Sequence, residues 1–530
     1  MRPLAFTHIR FRILGLAAAA VLGLAVCRPK TTQAEKMTGL IFNYDSTDLF
    51  YFTPPEKING HAVDDQIDLF AQAGVTVLMC NVNAQRTNYA SDCFDSFWSG
   101  YDPQAGDDQP FLQDMAPQSR RGYRSMITSM KTLHEQGVDY PARVIARCRH
   151  HGISPWISLR MNDTHNNNEV RHPIHSTFWK AHPEYWRVQG RRIDYYDRTL
   201  DYSHTAVRDR FWRLIEEVLQ RYDMDGLELD FMREPFLFKP GREQEGGKIL
   251  AEWLQQVRKL VEQTARRRGH AIKIGVRVPA HPVTAQNLGL DAVHWAEQGW
   301  VDLIVVTPRW ATMDTQMPLM QWKRMLAAYP VTLAGGLEIR EQAYPDGPAR
   351  IALPQTAVGT AVTVLSSGAD VVYLFNYFST LSRTVDYWPQ QTWLKTLRAM
   401  SSIDTLASLS RRHLLTFHDV FAPGEATDYP LPAKGPRLFF RVTTGPKPVG
   451  RLVTAVVELT PLAGGAVEAP ELSVNSELCD LQSRDQNVFT FSVAQSALQD
   501  RVQLVEVAGA GGRSIEVRQV EIAVSGATPE

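Results

Sequence analysis

The carboxylates of Glu228 and Asp230 lie on one face of a short predicted strand at residues 227–231. The turn signal Asp225-Gly226 precedes this strand, and apolar and acidic residues then alternate with the period of a β-strand. Side chains two residues apart point to the same side of a strand, so the two carboxylates share one side. A pair of carboxyl groups can supply the acid and the base of a hydrolytic reaction. We therefore expect the chemistry of this chain to centre on this strand.

Short apolar segments alternate with amphipathic segments from residue 39 to about residue 385. This alternation predicts an α/β fold, a (β/α)8 TIM barrel over residues 35–400. A closed barrel has no solvated edge, which disfavours the simpler interpretation that Glu228 and Asp230 face water. The predicted strands are residues 39–45, 75–83, 153–161, 227–231, 272–279, 301–307, 331–339 and 371–377. The predicted helices are residues 63–73, 140–151, 207–221, 249–268, 290–298, 319–329 and 354–367, and residues 88–120 are predicted to be irregular.

Polar residues follow the apolar part of every predicted strand, as a shared polar cavity would require. The active site of such a barrel lies at the carboxyl ends of its strands. The predicted substrate contacts there are Asp45, Asn81, Asn83, Arg160, Asn162, Glu228, Arg233, Arg277, His281, Arg309, Trp310 and Asn376. The arginines at positions 160, 277 and 309 have two interpretations, which the sequence leaves open. They bind an anionic sugar, or they neutralise buried acids.

Asp230 and Glu338 are the predicted catalytic residues. Glycoside hydrolysis generally uses two carboxyl groups that flank the scissile bond, and the fourth and seventh strands face each other across a barrel mouth. Glu234, just beyond the fourth strand, is the alternative acid from that strand. Glu228 lies one layer deeper, and we expect it to have a structural role in an ion pair with Arg277 or Arg160, because an unpaired buried carboxylate is costly.

The run Asp225-Gly-Leu-Glu-Leu-Asp230-Phe-Met-Arg233 resembles the fourth-strand signature of bacterial glycosyl hydrolase-like proteins of the family 10-like group. The resemblance covers residues 39–385 and rests on this one motif. It implies a carbohydrate-active TIM barrel that is secreted or displayed at the surface, and it carries over Asp230 and Arg233 as site residues. It does not identify the sugar.

Three related patterns differ from this sequence. Family 18 chitinases carry a catalytic Glu where this chain has Met232. The large clan of retaining glycosidases places an Asn-Glu pair at the fourth strand, which is missing here, although Glu338 fits its seventh-strand acid. An alpha-galactosidase-like mechanism, with Asp230 as nucleophile and Asp314 as acid, is the alternative.

The composition narrows the class of protein. The 530 residues carry a net charge of -1, which argues against a nucleic-acid partner. The cysteines beyond residue 34 have no metal-binding spacing, and the first predicted strand lacks an early His-x-His pair. We therefore expect neither a metal nor a cofactor. A Cys80–Cys93 disulfide is left open, and so is the oligomeric state.

Residues 1–34 have the pattern of a signal peptide, with a basic start, an apolar run at residues 13–26 and a small-residue cleavage site. The expected location is secreted or periplasmic. Residues 24–27 resemble a bacterial lipoprotein box, so lipid anchoring to a membrane through Cys27 is an alternative.

Residues 401–530 lose helical periodicity and read as an all-β sandwich, jelly-roll-like, with strands separated by turn residues. A carbohydrate-binding role and a purely structural role both fit this domain. Together these patterns predict an exported glycoside hydrolase that cleaves O-glycosidic bonds of a poly- or oligosaccharide. The alternative is a non-catalytic barrel that binds glycans or belongs to the cell envelope.

Overall fold

The computed structural model describes residues 36–191, 195–375, 377–378, 388–460 and 467–527. The signal-peptide segment 1–34, Cys27 and Asn376 lie outside these residues, so the expectations about them stay predictions. None of the described helices combines the length and the hydropathy needed to cross a membrane.

Eight parallel strands form a closed barrel, as predicted, and each strand end lies within two residues of its prediction. The strands are β1 Leu40–Asp45, β2 Val77–Asn81, β3 Ser154–Arg160, β4 Gly226–Asp230, β5 Lys273–Pro279, β6 Leu303–Thr307, β7 Thr332–Glu338 and β8 Val371–Phe375. They are hydrogen-bonded in sequential order, and β8 pairs with β1 to close the barrel. The strands are buried on both faces, which explains their nearly continuous apolar sequences.

Helices surround the barrel, and all seven predicted helices are present with shifted ends. The main helices between the strands are Gly60–Gln72, Pro117–Glu135, Tyr140–His150, Thr205–Arg221, Glu243–Arg268, Ala292–Glu297, Leu319–Met325 and Pro354–Ser366. Shorter or later helices are Thr47–Phe52, Thr177–Ala181, Pro282–Asn287, Gln390–Ala399 and Ile403–Ser408. The helix at 117–135 was not predicted, and it begins inside the segment expected to be irregular. Its first turns are polar and basic, so its apolar period starts only at Tyr123.

The indole of Trp156 fills the amino-terminal end of the barrel interior and is 1% exposed. Two glycines of the neighbouring strands make room for it. A Cβ added at Gly226 would lie 2.2 Å from the ring, and one at Gly275 would lie 3.1 Å from it. Gly226, in the Asp225-Gly226 turn signal, is therefore also required for packing inside the barrel. The polar residues of the strands lie at the opposite, carboxyl-terminal end of the barrel.

The C-terminal domain is the predicted β-sandwich, with two antiparallel sheets. One sheet has the order Arg411–Leu414, Ile515–Ala527, Arg451–Thr460, Val488–Val493, Asp480–Asp485, and Ala433–Gly435 also pairs with Ile515–Ala527. The other has the order Arg437–Gly445, Arg501–Ala508, Glu471–Val474, Glu477–Leu478. Strand Asp480–Asp485 was not predicted because it is exposed along its whole length and has no apolar alternation.

The sandwich packs directly on the barrel. A Cβ added at Gly359, in the helix before β8, would lie 2.1 Å from the carbonyl oxygen of Arg412. The Thr315 hydroxyl, in the loop after β6, donates to the carbonyl of Leu414 at 2.7 Å. The four cysteines of the described chain are free, and the Cys93 thiol donates to Glu217 at 2.9 Å.

Candidate active site

The carboxylate of Asp230 is buried at the carboxyl end of β4 and accepts two hydrogen bonds. Its Oδ2 accepts from Arg277 Nη1 at 3.1 Å, and its Oδ1 accepts from the backbone N–H of Met232 at 2.9 Å. Arg277, on β5, also donates to Thr307 Oγ1 at 3.2 Å, and its guanidinium lies 3.9 Å from the centre of the Phe375 ring. Asp230 therefore lies on the inner side of the barrel, as predicted, with only 1% of the residue exposed.

Glu338, at the end of β7, is buried on the same side of its strand as the interior residue Ala334. Its Oε1 accepts from the backbone N–H of Ile339 at 3.0 Å. Burial lowers the pKa of Arg277, but Asp230 and, to a smaller degree, Glu228 and Glu338 raise it overall. Arg277 therefore forms an ion pair with Asp230, whereas Glu338 has only a weak effect on its pKa.

Glu228 lies one layer deeper and is completely buried. Its Oε2 accepts from Asn43 Nδ2 at 2.9 Å and from the Tyr373 hydroxyl at 3.2 Å, while Oε1 has no hydrogen-bond partner among the described residues. The expected ion pair with Arg277 or Arg160 is therefore wrong, because neutral groups donate these bonds. Burial, followed by the charge of Asp230, raises the pKa of Glu228.

We predict that Glu228→Gln makes the fold less sensitive to a rise in pH from about 4 to about 7. Because the pKa of Glu228 is raised in the folded chain, the folded state keeps this proton when the unfolded chain has already lost it. Stability is therefore lost as the pH rises from the ordinary glutamate pKa of about 4.3 to the folded pKa of about 7, and no further above it. Glutamine cannot ionise, and the expected gain is about 1–3 kcal/mol at pH 8 and near zero at pH 5.

Thermal unfolding of Glu228→Gln and wild type across this pH range checks the prediction. Glu252→Gln, on the exposed face of a helix, is the matched control and should leave the pH profile unchanged. A Glu228→Gln profile parallel to that of the wild type would contradict it.

A second ion-pair network lines the mouth between β1 and β4. Arg160 Nη2 lies 2.5 Å from Asp45 Oδ2, and Arg160 Nη1 lies 3.3 Å from Asp163 Oδ2. Burial opposes the charge of Asp45, but Arg160 lowers the pKa of Asp45 to about 2. Asp163 also binds His165 at 2.7 Å, and Arg233 donates to the other nitrogen of that ring at 2.6 Å. Asp163 was not predicted as a site residue, although it lies in the polar run that follows the third strand.

A third ion pair joins Glu234 and Arg309. Glu234 Oε2 accepts from Arg309 Nη2 at 2.6 Å and from Nε at 3.1 Å. The same guanidinium lies over the rings of Tyr195, Tyr196 and Trp310 at 5.0–5.3 Å. Since the arginines at 160, 277 and 309 each bind a buried carboxylate, the structure favours the neutralising one of their two interpretations.

Three predicted contacts, Asn81, Asn83 and Asn162, bind the backbone of neighbouring segments. Asn83 accepts from the N–H of Arg160 at 3.1 Å and donates to its carbonyl at 3.0 Å. Asn162 accepts from the N–H of Leu200 at 2.8 Å and donates to its carbonyl at 3.0 Å. Asn81 donates to a carbonyl of β3 at 3.3 Å. These amides position the loops of the mouth, and a direct role with substrate stays a prediction.

A cleft of about 340 Å³ opens beside the second ion-pair network. Its walls combine aromatic rings with charged and polar groups. The aromatic residues are Tyr51, Phe52, Phe97 and Tyr123, and the others are Asp45, Arg160 and His165. Tyr51 is 43% exposed, and a Cβ added at Gly122 would lie 2.2 Å from its hydroxyl. Sequence patterns did not predict these aromatic residues as part of a site, because they belong to two helices that were not predicted and to a long loop.

His281, Asp314 and His418 form a separate group at the loops that follow β5 and β6. The His281 and His418 rings lie with centroids 3.8 Å apart and planes tilted by 35°, and Asp314 is buried beside both rings. Asp314, the alternative acid, therefore contacts two histidines, whereas Asp230 contacts Arg277. His281 had been predicted as a substrate contact, and its grouping with His418 was missed. Among the described residues, this is the group that could hold a metal ion.

No family model and no curated protein matches the chain. It is similar to the solved structure of alpha-L-fucosidase isoenzyme 2 from Paenibacillus thiaminolyticus, with 11% identity, a TM-score of 0.43 and coverage of 69% of this chain and 49% of that one. It is also similar to an endo-beta-1,4-mannanase from Thermotoga petrophila, with 8% identity, a TM-score of 0.41 and coverage of 92% of this chain and 98% of that one. An alpha-fucosidase from Thermotoga maritima has 11% identity, a TM-score of 0.34 and coverage of 84% of this chain and 79% of that one. The chain spans about half the length of the Paenibacillus protein. These identities and TM-scores are too low to assign a function to this chain.

Proposed function

We propose that this chain is an exported glycoside hydrolase that cleaves O-glycosidic bonds in a poly- or oligosaccharide. The observation that carries the proposal is that two buried carboxylates, Asp230 in an ion pair with Arg277 and Glu338 at the end of β7, lie at the carboxyl ends of strands in a closed barrel. Catalytic groups of such barrels come from the ends of several strands at this face. The family 10-like resemblance of residues 225–233 supports the same function.

The two carboxyl groups have different surroundings, which suggests different roles. Asp230 is held by Arg277 and by the backbone N–H of Met232, so we assign it the role of nucleophile or general base. Glu338 then serves as the acid that protonates the leaving oxygen. Glu234 is bound by Arg309 and Asp314 lies with the two histidines, so neither is assigned this acid role.

Neutral sugars fit the mouth better than anionic ones. Each of Arg160, Arg277 and Arg309 already binds a carboxylate of the chain, so an acidic sugar would have to compete with a buried ion pair. The cleft beside Asp45 offers aromatic rings, whose apolar faces can pack on sugar rings, together with charged groups that can bind hydroxyls. This cleft therefore binds sugar units on one side of the cleaved bond, outside the position between Asp230 and Glu338.

A second candidate function is glycan binding without turnover. The burial of Asp230 and Glu338, which are 1% and 2% exposed, favours it, because a substrate must reach both groups for hydrolysis. The two candidates share the cleft and differ only in the bond-breaking step.

Reducing-end release from a panel of neutral and acidic glycans, measured with the purified full chain, separates the candidates. Release from a neutral glycan supports the proposed function. Binding of a glycan, seen by calorimetry, without release under any condition of the panel supports the second candidate. Release confined to uronic or sulfated glycans would contradict the choice of a neutral substrate.

Tyr51→Ala is expected to weaken glycan binding by about 3–10-fold, because an aromatic contact contributes about 0.5–1.5 kcal/mol. The effect should appear in the KM or Kd and leave kcat nearly unchanged, since the ring lies in the cleft and away from Arg277. Phe439→Ala, which removes an exposed ring of the sandwich, is the matched control. Equal effects of the two substitutions would remove Tyr51 from the site.

A further inference from the structure

Three potential metal ligands from distant parts of the sequence meet at the rim of the barrel. His281 follows β5, Asp314 follows β6, and His418 follows the first strand of the sandwich. One ligand atom of each lies within 4.8 Å of the other two. The separations are 3.7 Å from His281 Nε2 to Asp314 Oδ2 and 3.9 Å from His418 Nδ1 to the same oxygen. These distances are too long for hydrogen bonds.

Two of the three potential ligand residues, Asp314 and His418, have buried polar atoms without a side-chain partner among the described residues. Asp314 Oδ2 and both ring nitrogens of His418 are buried without a hydrogen bond. The other oxygen of Asp314 is accounted for, because it accepts from the N–H of Gln316 at 2.8 Å. Buried polar atoms without partners are rare in folded proteins, and a bound ion is one of the few explanations.

We propose that His281, Asp314 and His418 bind one Zn²⁺ ion, with water as the fourth ligand. Two imidazoles and one carboxylate are a common donor set for zinc. Zinc bonds of about 2.0–2.2 Å require ligand atoms roughly 3.3 Å apart in a tetrahedral site, so the measured separations close with shifts of about half an ångström. The His281 side chain is 37% exposed, which gives the water and the ion a path from solvent.

The ion joins two parts of the fold. His281 and Asp314 belong to loops of the barrel, whereas His418 belongs to the segment that leaves the sandwich and runs along the barrel rim. Nearby, Glu425 of this segment accepts from Thr284 at 2.9 Å and from Asn287 at 2.6 Å. Zinc at the three ligands therefore stabilises the folded chain by fixing this segment to the loops.

The test uses the purified full chain, stripped of metal with a chelator that is then removed, and titrated with ZnCl2. We expect about one bound equivalent by calorimetry and by elemental analysis, and a rise of several degrees in the apparent Tm that CaCl2 and MgCl2 do not produce. His281→Gln, Asp314→Asn and His418→Gln should each bind zinc at least about tenfold more weakly. His294→Gln, which changes a partly exposed histidine of the helix Ala292–Glu297, is the matched control and should bind zinc as the wild type does.

Co²⁺ added to the wild type gives a second readout that needs no variant to fold. A visible absorption band of a four-coordinate site, displaced by zinc, supports the proposal. Wild-type chain that binds no zinc, or three ligand variants that bind it as tightly as His294→Gln does, would overturn it. These readouts do not involve glycan hydrolysis, so the zinc site and the proposed function fail independently.

Discussion

Asp230→Asn is expected to lower glycan hydrolysis by about 10²–10⁴-fold while binding changes little. The substitution keeps the shape of the side chain and its bond from the N–H of Met232, but it removes the charge that a nucleophile or base requires. The loss should appear in kcat, because the carboxylate acts on the reacting atoms and not on the rest of the sugar. Rates measured on the glycan that the panel identifies provide the check.

Glu338→Gln should cause a loss of similar size through the acid step. An aryl glycoside with a good leaving group needs little protonation, so Glu338→Gln should recover much of its rate on such a substrate, and Asp230→Asn should not. Asp370→Asn is the matched control, because Asp370 lies at the amino-terminal end of the barrel and binds Lys36 and Lys323. Full activity in both active-site variants would show that catalysis does not use this pair.

Arg277→Met is expected to destabilise the chain by about 3–5 kcal/mol, the range seen when one partner of a buried ion pair is removed. Methionine resembles arginine in length and fills much of its space, but it leaves Asp230 buried without its cation, with Glu228 and Glu338 close by. Chemical denaturation of the full chain measures the change.

The double variant Arg277→Met with Asp230→Asn isolates the electrostatic part of this loss. Because it removes the stranded charge, it should recover a substantial part of the stability that Arg277→Met loses. If the double variant is less stable than Arg277→Met alone, the arginine matters for packing on Phe375 and not for the charge balance at the mouth.

Local sequence patterns were enough to predict the barrel. Each strand is a short apolar run with a polar end, and Gly226 and Asp230 belong to one strand whose period is visible in five residues. The same period placed Asp230 and Glu338 on the interior side. Turn residues and the loss of helical periodicity predicted where the sandwich begins. Strand Asp480–Asp485 could not be predicted, because it has no alternation of apolar and polar residues.

The charge balance of the mouth could not be predicted, because it depends on side-chain pairs that are far apart in the chain. Glu228 was expected to bind an arginine, but Asn43 on β1 and Tyr373 on β8 donate hydrogen bonds to its carboxylate instead. His418 lies more than a hundred residues from either of its neighbours in the group with Asp314. His418 comes close to the barrel because the chain returns to the barrel rim after the first strand of the sandwich. Local sequence patterns do not predict this course of the chain.

The segment that follows Arg411–Leu414 has a consequence for engineering by domain exchange. Asp419 accepts hydrogen bonds from three consecutive backbone amides, those of Arg309, Trp310 and Ala311, at 2.9–3.0 Å. A chimaera joined at residue 400 would lose Asp419 together with the native sandwich. The loop that carries Arg309 would then lose the three hydrogen bonds that hold it. Grafting a foreign module onto this barrel therefore requires that residues 411–425 be kept with the barrel, so that the crossover falls downstream of Asp419 and its hydrogen bonds.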